Sequence, residues 1–262
     1  MIIYICIFLL SACVVQEVSG FKREVNAEEF ANISIDKNSV LEQLSQLVQI
    51  INDDTQEHSI REKASMDFIE LLQSTLSTYD LSAQELSDLQ LNVVMCEKEK
   101  SIQNDISLRF IVFMGYPEIF GTLERTWTFV EIYQGNKKYI QTIYEKTPET
   151  PTKCKMIQED GKDYVLLYGG TTEYTPRPLF ISVWELSEKE LLPGKLVNRV
   201  DSKEDNVRDY ENTLILEGGQ EQWYFDEEMT DLTGNVLLSA KLSSKTEITI
   251  FFEGGRFVAQ RR

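Results

Sequence analysis

The chain offers few side chains for chemistry. One histidine, His58, and four cysteines, Cys6, Cys13, Cys96 and Cys154, stand among 43 acidic and 26 basic residues. A single histidine rules out multi-histidine zinc or iron sites, and any Ser–His–Asp or Cys–His centre would have to use His58. Its setting, Gln56-Glu57-His58-Ser59, opens a helical pattern and reads as an exposed helix face, with no Gly-x-Ser-x-Gly elbow in the chain to serve it. No Cys-x-x-Cys pair occurs, which excludes zinc ribbons and thioredoxin-like redox sites. The acid runs from Asp201 to Asp205 and from Asp226 to Asp231 offer oxygen ligands. Neither fits an EF-hand loop, because Asn206 and Asp231 stand where the sixth-position glycine belongs. Paired carboxylates hydrolyse glycosides without histidine, but in so acidic a chain the sequence singles out no pair. The expectation is therefore no catalytic residue, no metal ligand and no cofactor.

Aromatic residues are the remaining candidates. Trp223-Tyr224-Phe225 runs directly into acids and is the expected ligand or partner surface, whereas Trp127 and Trp184 lie in alternating apolar runs and are expected in the core. Gly169-Gly170, Gly218-Gly219 and Gly254-Gly255 lack any phosphate-binding context and read as turns. The formal charge of −17 argues against nucleic acid, whose phosphates need Lys and Arg, and against docking on anionic lipid through a basic patch.

The N-terminus suggests where the protein works. Residues 2 to 15 are uncharged and largely apolar, too short a run to span a bilayer but suited to a secretory signal. Leu10-Ser11-Ala12-Cys13 resembles the lipobox of bacterial lipoproteins. That resemblance implies that Cys13 receives a diacylglycerol and becomes the first residue after cleavage. The partners implied are the lipid bilayer, reached through the Cys13 anchor, and an unknown envelope protein or polymer. Cleavage after Gly20, giving a plainly secreted protein, and an uncleaved anchor are the alternatives. Either cleavage leaves Cys96 and Cys154 in the folded body. Outside the cytoplasm they pair as a disulfide, or they remain two separate buried thiols.

These residues need elements to position them. The segments are a signal at 1–12, a tether at 13–36, helices at 37–91 and an antiparallel β domain at 92–262. Val40, Leu41, Leu44, Leu47, Val48 and Ile51 recur at helical spacing, and so do Ile60, Ala64, Phe68, Leu71, Leu72 and Leu76 after the turn at Asn52-Asp53-Asp54-Thr55. Ser82-Ala83-Gln84-Glu85 reads as a capping box opening a short third helix. From Leu91 the pattern alternates, and the run from Leu108 to Met114 is apolar on both faces, as in a central strand. Lys146 to Lys155, with Pro148 and Pro151, and Asp201 to Glu211 read as exposed loops.

Three hairpins look alike: Phe129–Ile140, Leu179–Leu192 and Ile248–Val258. They follow strands near 110, 164 and 236, and Tyr133, Trp184 or Phe252 ends the first strand of each. Over roughly residues 106 to 260 this unit resembles a blade of the FG-GAP or VCBS propeller repeats, without their Asp-rich calcium loops. A closed ring takes at least ~4 blades of ~40–50 residues, the most this region can hold. The fold class expected is α+β: an N-terminal helical hairpin followed by an antiparallel β region, as a sheet, a sandwich or a small or partial propeller. The function expected is a non-enzymatic binding or interaction module, lipid-anchored on the extracytoplasmic face. The alternatives are a carboxylate-dependent envelope hydrolase and a structural accessory lipoprotein.

Overall fold

The computed structural model describes residues 36–98, 102, 105–115, 126–171, 178–200, 207–210, 212–217, 223–226, 236–242 and 247–261. Cys6, Cys13 and the segment expected as a tether, up to residue 35, lie outside them, as do 201–206 and 227–235 with most of the acid runs.

Three helices come first: α1 (Lys37–Asn52), α2 (His58–Thr78) and α3 (Ala83–Asp88). Asp36 caps α1 by accepting from the Asn38 N–H at 3.4 Å. The turn after α1 closes on Asp53, whose carboxylate accepts from the Thr55 N–H at 2.9 Å and the Thr55 hydroxyl at 2.6 Å. Ser82 and Glu85 form a reciprocal capping box at α3, which satisfies two backbone donors that the first helical turn leaves open.

The strands are β1 (Asn92–Met95), β2 (Glu97–Lys98), β3 (Ile106–Met114), β4 (Thr126–Gln134), β5 (Lys137–Thr147), β6 (Glu149–Glu159), β7 (Lys162–Thr171) and β8 (Leu179–Leu186). There follow β9 (Leu191–Pro193), β10 (Leu196–Asn198), β11 (Val207–Tyr210), β12 (Thr213–Leu216), β13 (Trp223–Asp226), β14 (Val236–Leu242), β15 (Glu247–Glu253) and β16 (Arg256–Arg261). They form three sheets: β1-β3-β4-β5, then β11-β12-β8-β7-β6-β2 with β9 beside β8, then β10-β16-β15-β14-β13. Pairing is antiparallel except at β2–β6 and β10–β16. The class is α+β, and among the described residues the sheets are not closed.

Alternation of side chains stacks these sheets into layers. On β3, Ile111 and Phe113 pack with the helical residues Leu44, Phe68 and Leu72. Leu108 and Phe110, on the opposite face, pack with Met156, Val165 and Leu167 of the second sheet. Leu166 and Tyr168 of β7 in turn meet Trp223, Ile250 and Phe257 of the third. The order is helices, sheet, sheet, sheet, so the central strands β3, β4, β7 and β8 of the first and second sheets are buried on both faces over most of their length. The three similar hairpins, each with the strand before it, fall in separate sheets: β3-β4-β5, β7-β8-β9 and β14-β15-β16.

One expectation is overturned here. Lys146 to Lys155 is not a loop, because Glu149–Glu159 is a strand paired along β7. Pro148 sits between β5 and β6, and Pro151 sits at a bulge, positions where a missing N–H breaks no regular ladder. The described part of the other expected loop, Val207–Tyr210, is likewise a strand, pairing with β12.

Candidate functional site

Among the described residues, a connected group of charged side chains lies where the helices meet the first sheet. Arg109 on β3 and Glu131 on β4 are cross-strand partners on the helix-facing side. Glu131 is fully buried, and the Arg109 guanidinium pairs with its Oε2. Arg109 also donates to the Tyr133 hydroxyl at 3.0 Å, and that hydroxyl donates to Glu131 at 3.1 Å. Lys138 on β5 approaches the other Glu131 oxygen at 3.6 Å and pairs with Asp80 at 2.8 Å.

The cations of this group also hold backbone. Lys138 donates to the carbonyl of Tyr79 at 2.6 Å, Lys37 to that of Asp80 at 2.9 Å, and Arg109 to that of Leu81 at 2.7 Å. Three consecutive carbonyls between α2 and α3 are thus taken by cations from β5, α1 and β3. They lie just beyond the C-terminal end of α2, whose last turn has no basic residue of its own, so the cations also offset the negative end of its dipole. Lys37 further pairs with Glu85 at 2.8 Å. Its ammonium and the Ser82 N–H hold the Glu85 carboxyl at about 2, below the ordinary 4.5. Burial first, and the Glu131 charge second, push the Tyr133 phenol up, away from any titration near neutral pH. This arrangement can dock the helices on the sheet and fix the α2–α3 connection.

A second buried polar group lies between the first and second sheets. Ser182 accepts from the Tyr144 hydroxyl at 2.6 Å and from the Trp184 indole N–H at 3.0 Å, and its own hydroxyl lies 3.3 Å from the Leu167 carbonyl. Burial raises the Tyr144 pKa.

No protein-family model matches the chain, and no curated protein matches it.

The residues nominated from sequence fall in different places. Cys96 and Cys154 come together as a disulfide, with an S–S distance of 2.07 Å and Cα atoms 4.6 Å apart. The aromatic triplet does not form one surface. Trp223 is 2% exposed and packs in the core between the second and third sheets, and Phe225 turns the same way onto Tyr168, with ring centroids 4.9 Å apart. Only Tyr224, between them, is exposed, at 51%. Strand alternation is the reason, since neighbours on β13 point to opposite faces. Trp127 and Trp184 are buried, and His58 begins α2 on its exposed side. A concavity of about 50 Å³ between Ile51, Gln90 and Phe113 has room for one or two waters. Among the described residues no group of His, Cys, Asp and Glu is placed to hold a metal ion, and no helix is long and apolar enough to cross a membrane.

Sequence reading missed the Arg109–Glu131–Lys138 group. A signal was present: charges inside Leu108-Arg109-Phe110 and Val130-Glu131-Ile132, where a two-sided apolar strand should have none.

Proposed function

We propose that the protein is a lipid-anchored extracytoplasmic lipoprotein whose folded body is a non-enzymatic binding or interaction module. The Cys96–Cys154 bond carries this reading, because a disulfide inside a folded body fits an oxidising compartment. Leu10-Ser11-Ala12-Cys13 at the end of an apolar run supplies the route there and the means of attachment. More than one acyl chain on Cys13 would give stable attachment where a single chain gives only reversible binding. The charge of −17 agrees with a body kept off anionic lipid by its own surface and attached by lipid alone. The charged side chains Arg109, Glu131 and Lys138 hold the helices on the first sheet, which directs attention to the surface for binding.

The test is the mass of the mature N-terminal peptide. The expected peptide begins at Cys13 and carries a diacylglycerol. An unmodified peptide beginning at Phe21, or one still beginning at Met1, would overturn the anchor.

A further inference from the structure

We infer that the Cys96–Cys154 disulfide is a redox latch on the seam between the first and second sheets, attacked at Cys96 and opened without loss of the fold. Cys96 is the residue at which the chain changes sheets. Before it, β1 pairs along β3 from Asn92 to Met95, and the Cys96 N–H still donates to the Leu108 carbonyl at 3.1 Å. After it, β2 pairs with β6 of the second sheet, among the described residues, at Glu97 beside Lys155 and Lys98 beside Met156. Cys154 belongs to β6, which pairs with β7 from Glu149 to Glu159. Each half of the bond is thus held in its own sheet by a ladder that does not depend on sulfur. The short β2–β6 pairing lies directly beside the bond on both strands.

The two sulfurs differ in access. Cys154 is 3% exposed and lies in the core with Met156 and Leu167, whereas Cys96 is partly exposed beside the exposed Glu97 and Lys98. An incoming thiolate of a small dithiol therefore attacks Cys96 Sγ. The Cys96–Cys154 bond breaks, and its electron pair leaves on Cys154 Sγ, which takes up a proton. The second thiol of the reagent then attacks its own sulfur in the mixed disulfide, releasing Cys96 as a thiolate that is protonated. The protein gains two electrons and two protons, and the dithiol loses them as it closes to a cyclic disulfide. This device rests on the geometry of the body and is independent of whether Cys13 carries lipid.

Hydrogen exchange on the full chain, with and without a small dithiol, tests it. Expected on reduction is exchange at residues 96–98 and 153–156 that rises by clearly more than at 106–114, 162–171 and the helices, whose slowest amides rise only by the common factor that loss of the cross-link sets through global unfolding. A rise at 96–98 and 153–156 no larger than the common rise in β3, β4 and β7 would make the bond a staple of the whole fold and overturn the latch. Unchanged exchange everywhere would overturn it as well. The direction of attack is tested separately by alkylation, read by peptide mapping so that Cys6 and Cys13 do not contribute. Cys96 in the Cys154→Ser variant should react about tenfold or more faster than Cys154 in Cys96→Ser. Equal or reversed rates would overturn attack at Cys96.

Discussion

Glu131 is a carboxylate shielded from water, and Arg109, Lys138 and the Tyr133 hydroxyl face it and offset the cost of burying it. Removing it leaves two cations at a nearly closed interface. Glu131→Ala is expected to cost about 3–5 kcal/mol, the range for breaking a buried pair, measured as a fall in unfolding free energy in urea. Glu85 gives a pH dependence of known sign. Its carboxyl is held at about 2 in the fold against an ordinary 4.5. The stabilisation it brings is complete above about 4.5 and is lost as pH falls through about 2. Acid titration of stability should show this fall, and Glu85→Gln should flatten it. Cys96 and Cys154 were legible by counting, since either cleavage of the signal leaves those two. Arg109 and Glu131 were not paired in advance, because their meeting depends on a strand register that the sequence leaves open.

At the scale of elements, capping and helical spacing were legible because both are local. The Ser82 box and the stripe of Val40, Leu44 and Val48 needed no knowledge of the rest of the chain. Strand β6 was hidden because Pro148 just before it and Pro151 within it imitate a loop. Its bulge at Pro151 brings the backbone against Gly169 on β7, where a Cβ would lie 2.2 Å from the Thr150 carbonyl oxygen. Those are backbone atoms on both sides, so neither strand can yield cheaply. Gly169→Ala is expected to cost about 1–3 kcal/mol, the usual penalty of overpacking, and to lower the thermal midpoint. Gly170→Ala, whose nearest contact is 3.9 Å, is the control and should cost clearly less. The triplet at 223–225 failed as a surface for a related reason. Residue types suggested exposure, but alternation on a single strand turned Trp223 and Phe225 inward.

The whole molecule is a stack, and that order was only partly legible. Three similar hairpins announced three β units, and each occupies its own sheet. Which sheet lies on which depends on contacts between residues far apart in sequence, for which periodicity carries no signal. The disulfide acts at this scale too, because it closes a loop with a sequence separation of 58. The chain-entropy account gives about 4 kcal/mol for a loop of that size, so the Cys96→Ser, Cys154→Ser double variant should unfold at lower urea while still unfolding cooperatively. The central claim concerns the proposed lipid anchor at Cys13. Its most direct test is fractionation of the full-length chain and its Cys13→Ser variant in a bacterial host. The parent chain should pellet with membranes and the variant should lose that association, whereas a variant that stays with the membrane as fully as the parent would contradict the account.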